Sequence, residues 1–248
     1  MTGKYDSFKQ KQKWERTSAP VIADGSTGNL FHDYFRGIPF EYLRRLLRKN
    51  NINLDGATLH VASCGSGIDT GYLLRFSRPN IFFSDLSEKA LENTLRLFPQ
   101  FQGQIEDNEE LSFDDDSFDF SFIAASLHHL PRPVLGLYEL LRTSKRGVIV
   151  IEPNDSWLTS LATKIGFAQK YEMHGNYVYR FSKRDVEKIS SSLFCDFKIA
   201  RCFATHRIAR TKAEFFLLKI INGLANLLCP SQGNYIIFVL VKQPVKDS

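Results

Sequence analysis

Thr58-Leu59-His60-Val61-Ala62-Ser63-Cys64-Gly65-Ser66-Gly67-Ile68-Asp69 reads as a strand, a glycine turn and the start of a helix. The apolar run Thr58–Ala62 suits a buried strand, and a helix pattern follows over Asp69–Phe76. Glycines between them let backbone N–H groups approach a ligand closely, at the positive end of the helix. On its own, such a turn is equally well a tight strand-to-helix connection.

Working outward, the same rhythm repeats. Strands are predicted at Asn80–Ser84, Phe101–Ile105, Phe118–Ala124 and Gly147–Ile151, with helices at Ser87–Phe98 and Val134–Arg142 between them. Val148-Ile149-Val150-Ile151 is apolar throughout, as a strand covered on both faces should be. Alternating β and α elements argue for an open, mostly parallel sheet with helices on both sides. A helix over Phe40–Lys49 precedes this core. After it come a helix beyond Ser182, a strand near Phe197–Phe203, an apolar helix over Thr211–Cys229 and a last strand, Tyr235–Val241. The tail reads as completing the same sheet, so the expectation is one domain over residues 1–248. Within it, 1–50 form a lead-in and first helix, 57–153 a ligand-binding core and 154–248 the substrate-side elements.

Composition fits this reading. The chain has 248 residues, of which 43% are hydrophobic and 24% charged. Disorder, collagen and coiled coil are thereby excluded as descriptions of the whole. Four scattered cysteines without a C-x-x-C pair suggest reduced thiols rather than a disulfide scaffold. The first residues, MTGKYDSFKQKQKWER, are polar, so no signal peptide and a cytoplasmic location are expected. The net charge of +5 is unevenly spread. Residues 57–152 carry 8 basic and 14 acidic side chains, whereas 153–248 carry 14 basic and 7 acidic. The basic flanks hint at an anionic substrate or docking surface, and ordinary solvated faces are the simpler account.

Three further features fall at the carboxyl ends of strands, where open α/β sheets bind ligands. Asp85 ends the second strand, at the distance from the glycines where an acid can accept hydrogen bonds from ribose hydroxyls. Asp107 follows the third strand, and an acid there can accept from an exocyclic amine. The fourth strand leads into Ser126-Leu127-His128-His129-Leu130.

With these runs in order, the sequence resembles the class I S-adenosylmethionine-dependent methyltransferases. The resembling runs are Cys64-Gly65-Ser66-Gly67, Asp85-Leu86-Ser87, Asp107 to Phe113, and Leu127 to Leu130, within about Phe40–Pro153. The resemblance implies a three-layer, Rossmann-like α/β fold with a seven-stranded, mostly parallel sheet whose last strand is antiparallel. It implies S-adenosylmethionine as cofactor and S-adenosylhomocysteine as product. Ser63, Gly65, Ser66 and Gly67 would line the methionine end, and Asp85 the ribose. Leu86 would pack on the adenine, Asp107 and Asn108 would hold its edge, and the backbone near Ala125 the methionine amino group. Two positions depart from the family pattern: Val61 stands for a common acid and Ser63 for the first glycine. Thr70 replaces the third glycine of a nicotinamide motif.

Methyl transfer needs positioning, desolvation and, for some acceptors, a base. His129 is the candidate base and Glu152 a candidate for holding an acceptor amine or hydroxyl. The alternative is that one histidine caps the next helix and the other packs. Asn154 or Asp155 is expected to cap a helix starting near Ser156. Tyr171, His174, Tyr177 and Tyr179 are expected to cover the substrate or form a half-buried strand. Phe8, Trp14, Phe31, Tyr34 and Phe35 suit a lid or a packed helix. Asp114-Asp115-Asp116 reads as a solvated turn, and no metal is expected.

The acceptor is expected to be a small molecule, methylated on oxygen or nitrogen. Nucleic acid is not expected, because no N/D-P-P-Y/F run follows the fourth strand. A non-catalytic cofactor-binding protein is a rival. Another is an enzyme acting on a lipid or quinone, through the stripe Leu217, Ile220, Ile221, Leu224 and Leu228. The preferred reading of the 211–229 helix is a buried cover for the sheet, with a homodimer interface or peripheral membrane contact as alternatives.

Overall fold

The computed structural model describes residues 30–171, 177–205 and 209–243. Phe8, Trp14 and His174 lie outside them. Two helices open the described chain, α1 (Leu30–Arg36) and α2 (Ile38–Lys49). The core then alternates β1 (Thr58–Val61), α3 (Ile68–Leu73), β2 (Asn80–Asp85), α4 (Glu88–Leu97), β3 (Gln102–Ile105), β4 (Phe118–Ala124), α5 (Pro133–Arg142) and β5 (Ser144–Pro153). The tail adds α6 (Trp157–Lys164), α7 (Lys183–Ser192), β6 (Cys195–Cys202), α8 (Lys212–Leu228) and β7 (Tyr235–Lys242).

The seven strands form one sheet in the order β3-β2-β1-β4-β5-β7-β6. Strands β1 to β5 pair in parallel, and β7 runs antiparallel between β5 and β6. This is the predicted fold. The order reverses between β1 and β4, which places the crevice at their carboxyl ends.

Two apolar clusters explain the three layers. Ile149 and Ile151 of β5 join Leu43 and Leu47 of α2 and Tyr72 of α3 on one face. Val148 and Val150 join Leu137 and Leu140 of α5 and Val186 of α7 on the other. The alternation follows the pleat, since neighbouring side chains of a strand point to opposite faces. Each fully buried aliphatic side chain contributes about 1.5–3 kcal/mol.

The tail departs from expectation in three places. The helix after β5 is capped by Ser156, whose Oγ accepts from Thr159 N at 3.2 Å, and not by Asn154 or Asp155. Asn154 instead donates to the carbonyl of Gly233, tying β5 to the start of β7. Tyr177 and Tyr179 lie in no strand; Tyr177 makes one isolated bridge with Tyr171. Most sharply, α8 does not cover the sheet: Asn222 is its single buried residue. The acidic turn is paired as well as solvated, with Asp115 to Arg142 and Asp116 to Lys242, each at 2.7 Å.

His60 is an unplanned feature of the core. It lies fully buried in β1, its Nε2 2.7 Å from Ser84 Oγ and its ring stacked on Phe118. Burial pushes its pKa from 6.5 down to about 3. The folded chain therefore keeps it neutral while the unfolded chain binds a proton, so stability falls as pH drops below about 6.5. The fall should be about 1.4 kcal/mol per pH unit until the folded pKa is reached. Urea midpoints measured from pH 7 downward should show a shallower acid limb in His60→Gln than in the wild type. Parallel limbs would refute a buried neutral His60.

Candidate active site

The site assembles at the carboxyl edge of β1, β2, β3 and β4, and Asp85 organises it. Its Oδ2 accepts from Gly65 N at 2.8 Å, and its Oδ1 from Ser87 N at 2.8 Å. One carboxylate thus clamps the glycine turn after β1 to the start of α4, where Ser87 Oγ accepts from Ala90 N. Burial raises the Asp85 pKa, and the hydrogen bonds from Ser87, Gly65 and Leu86 pull it back.

The glycine turn needs left-handed backbone at three positions: Ser63 (φ 47°), Gly65 (φ 55°) and Gly67 (φ 77°). A Cβ on Gly65 would find nothing closer than 3.8 Å, so this glycine serves backbone shape and an open approach. At Gly67 a Cβ would stand 3.0 Å from the Phe98 ring, so there the glycine also serves packing. Ser63 holds the strained conformation where a glycine would be at ease. Its Oγ accepts from Asn108 Nδ2 at 2.6 Å, which joins the loops after β1 and β3. That bond gives the departure from the family pattern a structural use. Val61, the other departure, is simply buried in the sheet core.

Asp107 accepts from Glu109 N through Oδ1 at 2.9 Å, a local turn that sets its carboxyl group beyond β3. Asn108 is buried beside it. Ile105, in register with Asp85, is an apolar side chain 43% exposed at the end of β3. The sequence reading did not single it out, although an apolar residue before Glu106-Asp107 is a visible signal.

After β4, Ala125 is also left-handed (φ 48°) and its N–H is taken by the Ile151 carbonyl at 2.8 Å. What it can offer a ligand amino group is its carbonyl. A three-residue 3₁₀ turn, Leu127–His129, follows. His128 is buried, with Nδ1 2.6 Å from Glu152 Oε2. Glu152 Oε1 accepts from Ser126 N and Leu127 N at 2.8 and 2.7 Å. Glu152 is fully buried, so its carboxylate holds this loop from beneath rather than facing an acceptor. His129 is half-buried, its ring 4.0 Å from that of His128.

Two contacts were not legible in the sequence. Arg36 of α1 pairs with Asp69 at the start of α3, at 3.1 Å, tying the lead-in helix to the glycine turn. The Asp69 charge holds the guanidinium pKa above its ordinary value. Tyr235 opens β7 opposite Pro153 and Cys202, the last residues of β5 and β6. Burial raises its phenol pKa, with Arg36 acting downward and Asp69 upward.

These parts suit S-adenosylmethionine: an acceptor carboxylate at the end of β2, an open glycine cradle after β1, and a second acid beyond β3. The fold and this edge define a class I methyltransferase architecture. Residues 60–151 match the family model described as a methyltransferase domain. That segment, a little over a third of the chain, is similar to a methyltransferase domain. No curated protein sequence matches the chain. Among solved structures, magnesium protoporphyrin IX methyltransferase from Synechocystis PCC 6803, with S-adenosylhomocysteine bound, is 14% identical. It aligns over 96% of this chain and 95% of its own, with TM-score 0.60. A Thermotoga maritima S-adenosylmethionine-dependent methyltransferase, described as a possible histamine N-methyltransferase, is 16% identical over 96% and 98%, with TM-score 0.55. The [4+2]-cyclase SpnF is 17% identical over 83% and 81%, with TM-score 0.51. The fold by itself therefore does not assign the reaction.

Proposed function

We propose that the protein transfers a methyl group from S-adenosylmethionine to oxygen or nitrogen of a small, anionic acceptor. The observation that supports this reading is that the glycine turn after β1 and the His128–His129 turn after β4 follow adjacent parallel strands. β1 and β4 are neighbours in the sheet, so their following loops share one crevice. When bound, the cofactor supplies a methyl group already activated by the sulfonium, open to in-line displacement. Asp85 would accept from the ribose hydroxyls, Asp107 and Asn108 would meet the adenine edge, and Leu86 would pack on it. Ser63, Gly65, Ser66, Gly67 and the Ala125 carbonyl would hold the methionine end. His129 would take the acceptor proton, and Glu152, through His128 and two N–H groups, would position the turn that carries it. The excess of basic residues in 153–248 supports an acceptor with negative charge.

The test is calorimetry of cofactor binding, followed by methyl transfer to a panel of anionic alcohols, phenols and amines. His129→Ala should leave cofactor affinity unchanged and lower kcat about 100-fold, the usual worth of a positioned base. Failure to bind the cofactor would refute the reading. So would binding without turnover across the panel, which would favour a non-catalytic cofactor-binding role.

A further inference from the structure

Helix α8 is built inside out for a helix that covers a core. Its two asparagines face the protein: Asn222 accepts from Thr205 N at 3.0 Å and donates to Phe203 O at 2.7 Å. Asn226 accepts from Phe203 N at 2.7 Å. These bonds, with Phe215 stacked on Phe31 of α1 at 4.8 Å, fasten the helix. Leu217, Ile220, Ile221, Leu224, Leu227 and Leu228 are left exposed, Leu227 to 75%. The 3₁₀ turn Pro230–Gln232 links α8 to α6, whose Leu158 N donates to Gln232 Oε1 at 3.3 Å. There Trp157 is 71% exposed, and Phe167 beyond the other end of α6 is 87% exposed.

Apolar side chains this exposed on two neighbouring helices mark a surface that meets something. Charge says what. Across residues 154–171 and 209–232 the basic side chains are Lys164, Lys170, Arg210, Lys212 and Lys219, against Asp155 and Glu214. Leucine, isoleucine and tryptophan framed by lysine is the composition of a helix lying in a lipid interface. At 17 residues α8 is about 25 Å long, and no helix of the described residues is long and apolar enough to cross a membrane. A second copy of this chain would bring two net-positive faces together, whereas an anionic lipid surface neutralises the charge. Position adds to the argument. α6 leaves the carboxyl end of β5, and α8 lies between the carboxyl end of β6 and the start of β7. Both helices therefore belong to the edge that carries Asp85 and His129.

We propose that α8 and α6 dock the protein on an anionic lipid bilayer, so that the acceptor is an amphiphile drawn from it. The acceptor half rests on the transferase reading; the docking does not.

The full chain should float with vesicles of phosphatidylcholine and phosphatidylglycerol, and at least about tenfold less with phosphatidylcholine alone. The double variant Ile220→Ser, Leu224→Ser should lose that binding about tenfold or more. Its cofactor affinity and unfolding midpoint should not change, which separates lost docking from lost folding. A wild type that floats with neither vesicle would overturn the proposal. So would a dimer in size exclusion that the double variant dissolves, because that assigns the face to a second copy. Methyl transfer to a soluble acceptor without flotation would leave the transferase reading standing and remove the docking. Flotation without cofactor binding would do the reverse.

Discussion

Asp85→Ala is expected to lower S-adenosylmethionine affinity at least a hundredfold in calorimetry. Hydrogen bonds to a charged group contribute roughly 1.5–3 kcal/mol each, and in the proposed site a ribose would present two hydroxyls to this carboxylate. At about 1.4 kcal/mol per tenfold, two such bonds reach that loss even at their weaker limit. The side chain also accepts from Gly65 N and Ser87 N, so removing it frees the glycine turn proposed to hold the methionine end. Asp85→Asn keeps one carbonyl oxygen but turns an amide N–H₂ toward a backbone N–H. It should therefore bind between the two, with the glycine turn still disturbed. Wild-type affinity in Asp85→Ala would show that the acid at the end of β2 does not hold the ribose.

The parallel half of the sheet was legible because β1, β2, β4 and β5 are short apolar runs closed by turn residues, and such runs fit one kind of place. The limits of β4 coincide with the predicted ones. The tail was harder, because a helical stripe says that two faces differ and not which face is covered. In α8 Asn222 and Asn226 interrupt an apolar helix, yet together with Phe215 they attach it. The signal was present: two asparagines at i and i+4 share a face, and the leucines occupy the other. Arg36 with Asp69 spans 33 positions, and no local pattern predicts it. Ser156 outcompeted Asn154 as a cap because Asn154 was already bound to Gly233 O, a contact across 79 positions.

Glu152 shows how strand parity corrects a reading based on position alone. Standing at the end of β5 beside the crevice, it looked able to hold an acceptor. Counting by twos from Val148 and Val150, however, puts Glu152 on the face of α5 and α7, the same face as Leu127. Its carboxylate accordingly meets the 3₁₀ turn and takes three hydrogen bonds there, from Ser126 N, Leu127 N and His128 Nδ1. Removing a buried charged group from such a set leaves its partners unsatisfied and costs about 3–5 kcal/mol. Glu152→Ala should therefore unfold about 6–20 °C below the wild type, at roughly 2–4 °C per kcal/mol for a chain of this size. It should also lose cofactor affinity, since the turn it supports follows Ala125. Glu152→Gln retains an oxygen for the two N–H groups and gives up the bond to His128. It should recover most of the stability, and at saturating cofactor its KM for the acceptor should equal that of the wild type. That last measurement discriminates. A residue that touches the acceptor would raise KM in the Gln variant while leaving the unfolding midpoint in place, and that outcome would return Glu152 to the acceptor side.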